Sequence, residues 1–271
     1  MEGESERGDA LRRHNVHVIG RAEAPATLVF VHGFGTDQRA WEAIVPTFAD
    51  DYRIVLLDNA GAGGADPAAF QQSRYLNLHG YASDLLEVCA ALDVHDAILV
   101  GHSVGAMIGV LAALAEPQRF ARLVLIGASP RYLDDGAYRG GFSEDDLNGL
   151  YTAIDADYEG WADAFAPLAM GNPSQPALAE HFAAALKAVP QDHAYTTLCA
   201  IFQSDHRAEV ARLTQPVLIV QSRDDVAVPQ AVAEYLAAHI PDSRLVTIDA
   251  SGHLPHLSAP GAVVAAIRPF L

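Results

Sequence analysis

Cysteine is nearly absent: the 271 residues contain two, Cys89 and Cys199. They show no CxxC spacing and lie in apolar, helix-like stretches. That reads as two buried free thiols and argues against a disulfide framework, a zinc site or a catalytic cysteine pair. Basic residues are scarce too: 17 Lys and Arg against 34 Asp and Glu leave a formal net charge of −17 at pH 7. Nucleic acid and anionic membrane surfaces attract clusters of Lys and Arg, so neither is an expected partner, and the surplus carboxylates serve solubility. No hydrophobic run approaches the length of a membrane span. The first residues, Met1–Arg13, mix Glu, Asp and Arg without an apolar stretch, so no secretory signal is expected and the location reads as cytoplasmic. Internal repeats, low-complexity tracts and a domain linker are also missing. With 51% hydrophobic and 19% charged residues, the composition suits one globular domain with a large core.

What is present alternates. Apolar runs at Thr27–Val31, Arg53–Leu57, Ala97–Val100, Leu123–Ile126, Val217–Val220 and Leu245–Ile248 read as strands buried on both faces. Between most of them lie amphipathic segments of helical length: Trp41–Phe48, Leu78–Leu92, Ala106–Ala115, Ala231–His239 and Ala262–Leu271. The alternation predicts a doubly wound α/β architecture with a mainly parallel sheet, to which Val16–Ile19 adds an antiparallel edge. From about Pro130 to His206 no strand-like run occurs. Four helical pieces replace it, at Ser143–Ala156, Tyr158–Ala166, Gln175–Ala188 and His193–Gln203, with Ser143 and Asp146 placed as a capping box. An all-helical insertion between two sheet strands reads as a lid, and its aromatic residues suggest an apolar pocket beneath it.

The chemistry centres on Gly101-His102-Ser103-Val104-Gly105, which joins a buried strand to a helix. At such a sharp turn a serine hydroxyl stands clear of the sheet, where a nucleophile belongs. Serine needs a base to take its proton and a carboxylate to orient that base, and both are expected in loops after later strands. The loop after Val217–Val220 offers Asp224 and Asp225; Asp225, four residues before Pro229, is preferred. The loop after Leu245–Ile248 offers His253 and His256. His253 directly follows Gly252 and is the expected base, whereas His256 orients the loop or lines the pocket. A metal site on His102, His253 and His256 would lack both an HExxH pattern and a supporting cluster of carboxylates, and no cofactor is implied. The oxyanion of an acyl transfer needs donors, and the expected pair is the backbone N–H of Phe34, in His32-Gly33-Phe34-Gly35, and that of Val104.

The chain resembles the α/β-hydrolases, and more narrowly the RsbQ-like bacterial stress-signalling hydrolases and their plant relatives, the karrikin and strigolactone receptors. The resemblance rests on His32-Gly33-Phe34-Gly35-Thr36-Asp37-Gln38 with Trp41, Asp58-Asn59 with Gly61-Ala62-Gly63, and Gly101-His102-Ser103-Val104. It continues through Ala128-Ser129-Pro130-Arg131-Tyr132, Gly140-Gly141-Phe142, Phe165-Ala166-Pro167-Leu168, Ile201-Phe202-Gln203-Ser204-Asp205 and Gly252-His253-Leu254-Pro255. It implies an α/β-hydrolase fold with a four-helix lid inserted after the sixth strand: residues 1–129 and 207–271 as core, 130–206 as lid. It also implies that Phe34, Tyr132, Phe142, Trp161, Phe165, Phe182 and Phe202 approach or line a hydrophobic pocket; His102, held beside the nucleophile, is counted with them. Two functions fit. One is a serine hydrolase for a small hydrophobic ester, lactone or enol ether, with Ser103, His253 and Asp225 as triad. The other is a ligand sensor in which slow hydrolysis signals to a partner, for which the resemblance implies a PAS-domain phosphatase.

Overall fold

The computed structural model describes residues 2–271, with side chains described from residue 7 onward; Met1, the first residue of the expected core, lies outside them. Seven strands, β1 (His17–Gly20), β2 (Thr27–Val31), β3 (Arg53–Leu56), β4 (Ala97–His102), β5 (Phe120–Ile126), β6 (Val217–Asp224) and β7 (Ser243–Ser251), form one sheet in the order β1-β3-β2-β4-β5-β6-β7. β1 pairs antiparallel with β3, and the other neighbours are parallel. The central strands carry apolar residues on both faces. Leu28, Phe30, Ile98, Val100, Leu218 and Val220 pack on one side, and Val29, Val31, Leu99, Leu123, Val217 and Ile219 on the other. With a side-chain period of two, that double burial is why these strands read as continuous apolar runs.

The helices are α1 (Glu2–Arg13), α2 (Leu78–Ala91), α3 (Val104–Ala115), α4 (Glu144–Ala156), α5 (Tyr158–Met170), α6 (Pro176–Ala188), α7 (Gln191–Phe202), α8 (Arg207–Val210), α9 (Gln230–His239), α10 (Pro255–Ser258) and α11 (Pro260–Ile267). Two segments differ from the sequence reading. Trp41–Phe48 is not a helix but parts of two 3-10 turns, Gln38–Trp41 and Val45–Thr47. Pro46 lacks the N–H that a continuing helix would need, and the buried Trp41 supplies a helix-like apolar spacing. Conversely, the charged N-terminal segment forms α1, which has no apolar stripe to announce it. It docks on α2 through buried Ala10 and an Arg13–Glu87 ion pair of 2.7 Å. No helix of the described residues is long and apolar enough to cross a membrane.

Helices α4–α7 lie between β5 and β6. The insertion therefore follows the fifth strand, one earlier than the count implied by resemblance, because α1 rather than a further strand precedes β1. Ser143 and Asp146 form the reciprocal capping box at the start of α4. The two connecting segments run side by side: the His206 N–H donates to the Pro130 carbonyl at 2.7 Å, and Arg131–Asp205 (2.9 Å) and Arg207–Asp135 (2.7 Å) bridge them. Between α5 and α6, the small residues Ala162, Ala166 and Ala169 admit Phe182 and Leu186.

The β4–α3 turn is held very tightly. Ser103 has φ 53° and ψ −123°, a conformation that a residue with a side chain rarely adopts. A Cβ at Gly101 would lie 2.5 Å from the Ala106 Cα, and one at Gly105 would overlap the carbonyl oxygens of Val31 and His32. Gly105→Ala is therefore expected to push α3 off β2, costing about 1–3 kcal/mol or more. Thermal unfolding followed by circular dichroism measures this, and an unchanged melting temperature would contradict the packing.

Candidate active site

Three loops at the C-terminal ends of β4, β6 and β7 bring Ser103, Asp225 and His253 together. Ser103 Oγ lies 2.8 Å from His253 Nε2, and His253 Nδ1 lies 2.9 and 3.1 Å from Asp225 Oδ2 and Oδ1. An ionised carboxylate only accepts hydrogen bonds, so Nδ1 carries the proton. The neutral ring then presents Nε2 as the acceptor for the serine hydroxyl. The Asp225 side chain is 1% exposed, and its Oδ1 also accepts the N–H groups of Ala227 (2.9 Å) and Val228 (3.0 Å). Asp224 is exposed. Its carbonyl instead accepts the Gly252 N–H at 2.6 Å, which ties the histidine loop to β6.

The expected oxyanion donors flank the serine. Val104 opens α3, so its N–H is one of the first-turn donors that have no acceptor within the helix. The Phe34 loop presses on Ser103: a Cβ at Gly33 would come 3.3 Å from the Ser103 Cβ and overlap the His102 ring. Phe34 is half-buried between two fully buried glycines.

Above Ser103 and His253 is a cavity lined by Phe34, His102, Tyr132, Trp161, Phe165, Phe182 and Phe202 together with Leu150, Ala169, Leu198, Ile201, Ala227 and Leu254. Phe142 does not line it. Phe142 packs behind the wall, edge-on to Tyr132 and Phe202, because the Leu133–Phe142 bridge turns this segment back onto the core. Leu150, Leu198 and Ile201 escape the sequence reading; their one signal is an apolar position on α4 or α7, which does not distinguish a cavity wall from helix packing. The Tyr132 hydroxyl reaches to 3.5 Å from Ser103 Oγ. Burial raises the pKa of this phenol to about 12, so it remains a neutral donor. Among the described residues no group of three or more His, Cys, Asp or Glu side chains could hold a metal ion.

Residues 26–260 match the α/β hydrolase fold family. The chain belongs to the α/β-hydrolase family. It is 44% identical over 252 residues to a probable esterase of Oryza sativa subsp. japonica, with 93% of each chain covered. It is 43% identical over 252 residues to the karrikin insensitive 2 receptor CA of Petunia hybrida, again with 93% of each covered. It is 40% identical over 255 residues to a strigolactone esterase of Arabidopsis thaliana, with 94% of each covered. Among solved structures, a hydrolase from Oleispira antarctica superposes with a TM-score of 0.94 at 32% identity, covering 97% of this chain and 96% of that one.

In this α/β hydrolase a column of rings supports the site from below. His253 lies against His102 (4.9 Å between centroids), His102 against His256 (4.3 Å) and His256 against Trp41 (4.7 Å). His102 Nε2–H donates to the His253 carbonyl at 2.8 Å, and the His253 N–H donates to the Ala169 carbonyl at 2.7 Å. Core and insertion thus both fix the backbone of His253. Burial holds His102 neutral, well below the ordinary histidine range, and lowers His256 to about 3. Between pH 6.5 and about 3 the unfolded chain binds a proton at His256 that the folded chain refuses, so stability is full above that window and lost as pH falls through it. His256→Phe keeps the stack and removes the titration. Its melting temperature is expected to fall less steeply between pH 7 and pH 4 than that of the unsubstituted protein, and parallel slopes would contradict this.

Proposed function

We propose that this protein is a serine esterase in which Ser103, His253 and Asp225 form a catalytic triad beneath a lid made by residues 130–206. It acts on a small hydrophobic ester, lactone or enol ether. The observation that carries this reading is the unbroken hydrogen-bonded chain from Ser103 Oγ through His253 to a buried Asp225, set on the floor of an aromatic cavity. As Oγ attacks the carbonyl carbon, His253 Nε2 takes the hydroxyl proton, and the resulting imidazolium is stabilised by Asp225. The oxyanion is received by the N–H groups of Phe34 and Val104, each such donor lowering the barrier by roughly 3–4 kcal/mol. His253 then protonates the leaving oxygen, and a water deprotonated by the same ring releases the acyl group. No step calls for a cofactor. The relatives named esterases support ester cleavage, and the two unpaired cysteines suit a cytoplasmic setting.

A second reading has its own support, since relatives of similar identity are named receptors. Here slow hydrolysis accompanies ligand sensing, and the lid transmits the bound state to a partner, a PAS-domain phosphatase in the RsbQ-like case. Ligand-dependent capture of a purified PAS-domain phosphatase favours this reading; fast turnover of a common metabolite with no capture counts against it.

The esterase reading is tested with p-nitrophenyl acetate. Ser103→Ala is expected to reduce turnover to the solution background, and Asp225→Asn to lower kcat by about 10⁴ through loss of the correct tautomer. Asp224→Asn is expected to leave kcat unchanged. Equal rates for Ser103→Ala and the unsubstituted protein would end the proposal.

A further inference from the structure

The connection from α5 to α6 meets the His253 loop from the side of the insertion. Helix α5 ends at Gly171, whose φ of 60° stops it, and Pro173 cannot carry it further. The last carbonyls of a helix have no partner within it. Here the Pro167 carbonyl accepts the Gly171 N–H at 3.1 Å, that of Ala169 accepts the His253 N–H, and that of Met170 accepts the side chain of Asn172. The same Asn172 Nδ2 donates to the Ser251 carbonyl at 3.0 Å. Both partners are acceptors only, so the side-chain NH2 faces them and gives each one hydrogen. Asn172 therefore ties the end of α5 to the end of β7, two residues before His253. Its own backbone is held by a turn: the Asn172 carbonyl accepts the Gln175 N–H at 2.9 Å, and Pro173 presets φ at the second position. The span it bridges is closely packed. A Cβ on Gly252 would overlap the Met170 carbonyl oxygen, and one on Gly171 would lie 2.8 Å from the Gly252 nitrogen.

We propose that Asn172 is a positioning residue for the reaction: it fixes the backbone from which His253 reaches Ser103. The proposal rests on the serine-esterase reading above. The Ala169 carbonyl holds the His253 N–H only as firmly as the end of α5 is itself held to the sheet, and Asn172 makes that second link. Without its side chain the Met170 and Ser251 carbonyls lose their shared donor. The residues left to resist movement are then Gly171 and Gly252, and glycine constrains φ and ψ least. Movement of the His253 backbone lengthens the 2.8 Å bond between Nε2 and Ser103 Oγ, and a misplacement of about 1 Å can cost on the order of 10² in rate. Asn172 does not line the cavity, so its loss falls on kcat rather than on KM.

The test combines turnover of p-nitrophenyl acetate with fluorophosphonate labelling, in Asn172→Ala and in Asn172→Ser, whose hydroxyl has a single hydrogen to donate. In Asn172→Ala kcat is expected to fall about ten- to a hundredfold with KM within about twofold, and in Asn172→Ser to fall by less. Labelling of Ser103 is expected to slow in parallel yet still reach one adduct per chain, because a variant that is merely unstable shows fewer reactive sites rather than slower ones. Gln191→Ala is the control: the Gln191 side chain donates to the Ile154 carbonyl at 3.0 Å within the insertion, and its kcat is expected to stay unchanged. Circular dichroism melts identify a variant that fails to fold, and the other then decides. An unchanged kcat in a folded Asn172 variant, or an equal loss in Gln191→Ala, overturns the role of Asn172 and leaves the esterase reading standing. Absence of Ser103-dependent turnover in the unsubstituted protein removes both.

Discussion

The backbone turn at Ser103 is the constraint on which the rest depends. A side chain held at φ 53° and ψ −123° costs on the order of 1–3 kcal/mol. The turn persists because α3 is buried along most of its length: Met107, Ile108, Val110 and Leu111 are each no more than 4% exposed. Burial of each such side chain contributes about 1.5–3 kcal/mol, so the helix outweighs the strain several times over. The Ser103 N–H donates to the Ile126 carbonyl at 2.8 Å, which anchors the turn to β5 as well.

Everything else in the site is arranged around that fixed hydroxyl. His253 is held by its own backbone, through His102 on one side and the Ala169 carbonyl at the end of α5 on the other. The insertion therefore does more than cover the cavity, since it supplies one of the two hydrogen bonds that hold the His253 backbone. Asp225 is held by Ala227 and Val228, so the carboxylate meets His253 with little freedom left to lose. A site whose groups are positioned before the substrate arrives need not reorganise during reaction, and that is where electrostatic stabilisation gains its effect.

Much of this is legible in the sequence, and the exceptions have physical reasons. The central strands can be read because both faces are apolar, and the order of serine, acid and histidine because each follows a recognisable strand. Asp224 and Asp225 are hard to separate by sequence, since adjacent residues carry the same chemistry. The pairing of β6 with β7 shifts register between Ser222 and Asp224, and Asp225, just beyond, turns inward. Phe142 reads as a cavity residue because aromatic character says nothing of which side of a wall a ring occupies. Helix α1 has no apolar period, and Trp41–Phe48 has one that Pro46 prevents from becoming a helix.

The central claim is that Ser103 is a nucleophile activated by His253. It is tested most directly by reaction with a fluorophosphonate, followed by intact-mass measurement and peptide mapping. One adduct per chain is expected, on Ser103, formed quickly by the unsubstituted protein and lost or greatly slowed in His253→Ala. An adduct on another residue, or labelling of Ser103 at the same rate without His253, would contradict it.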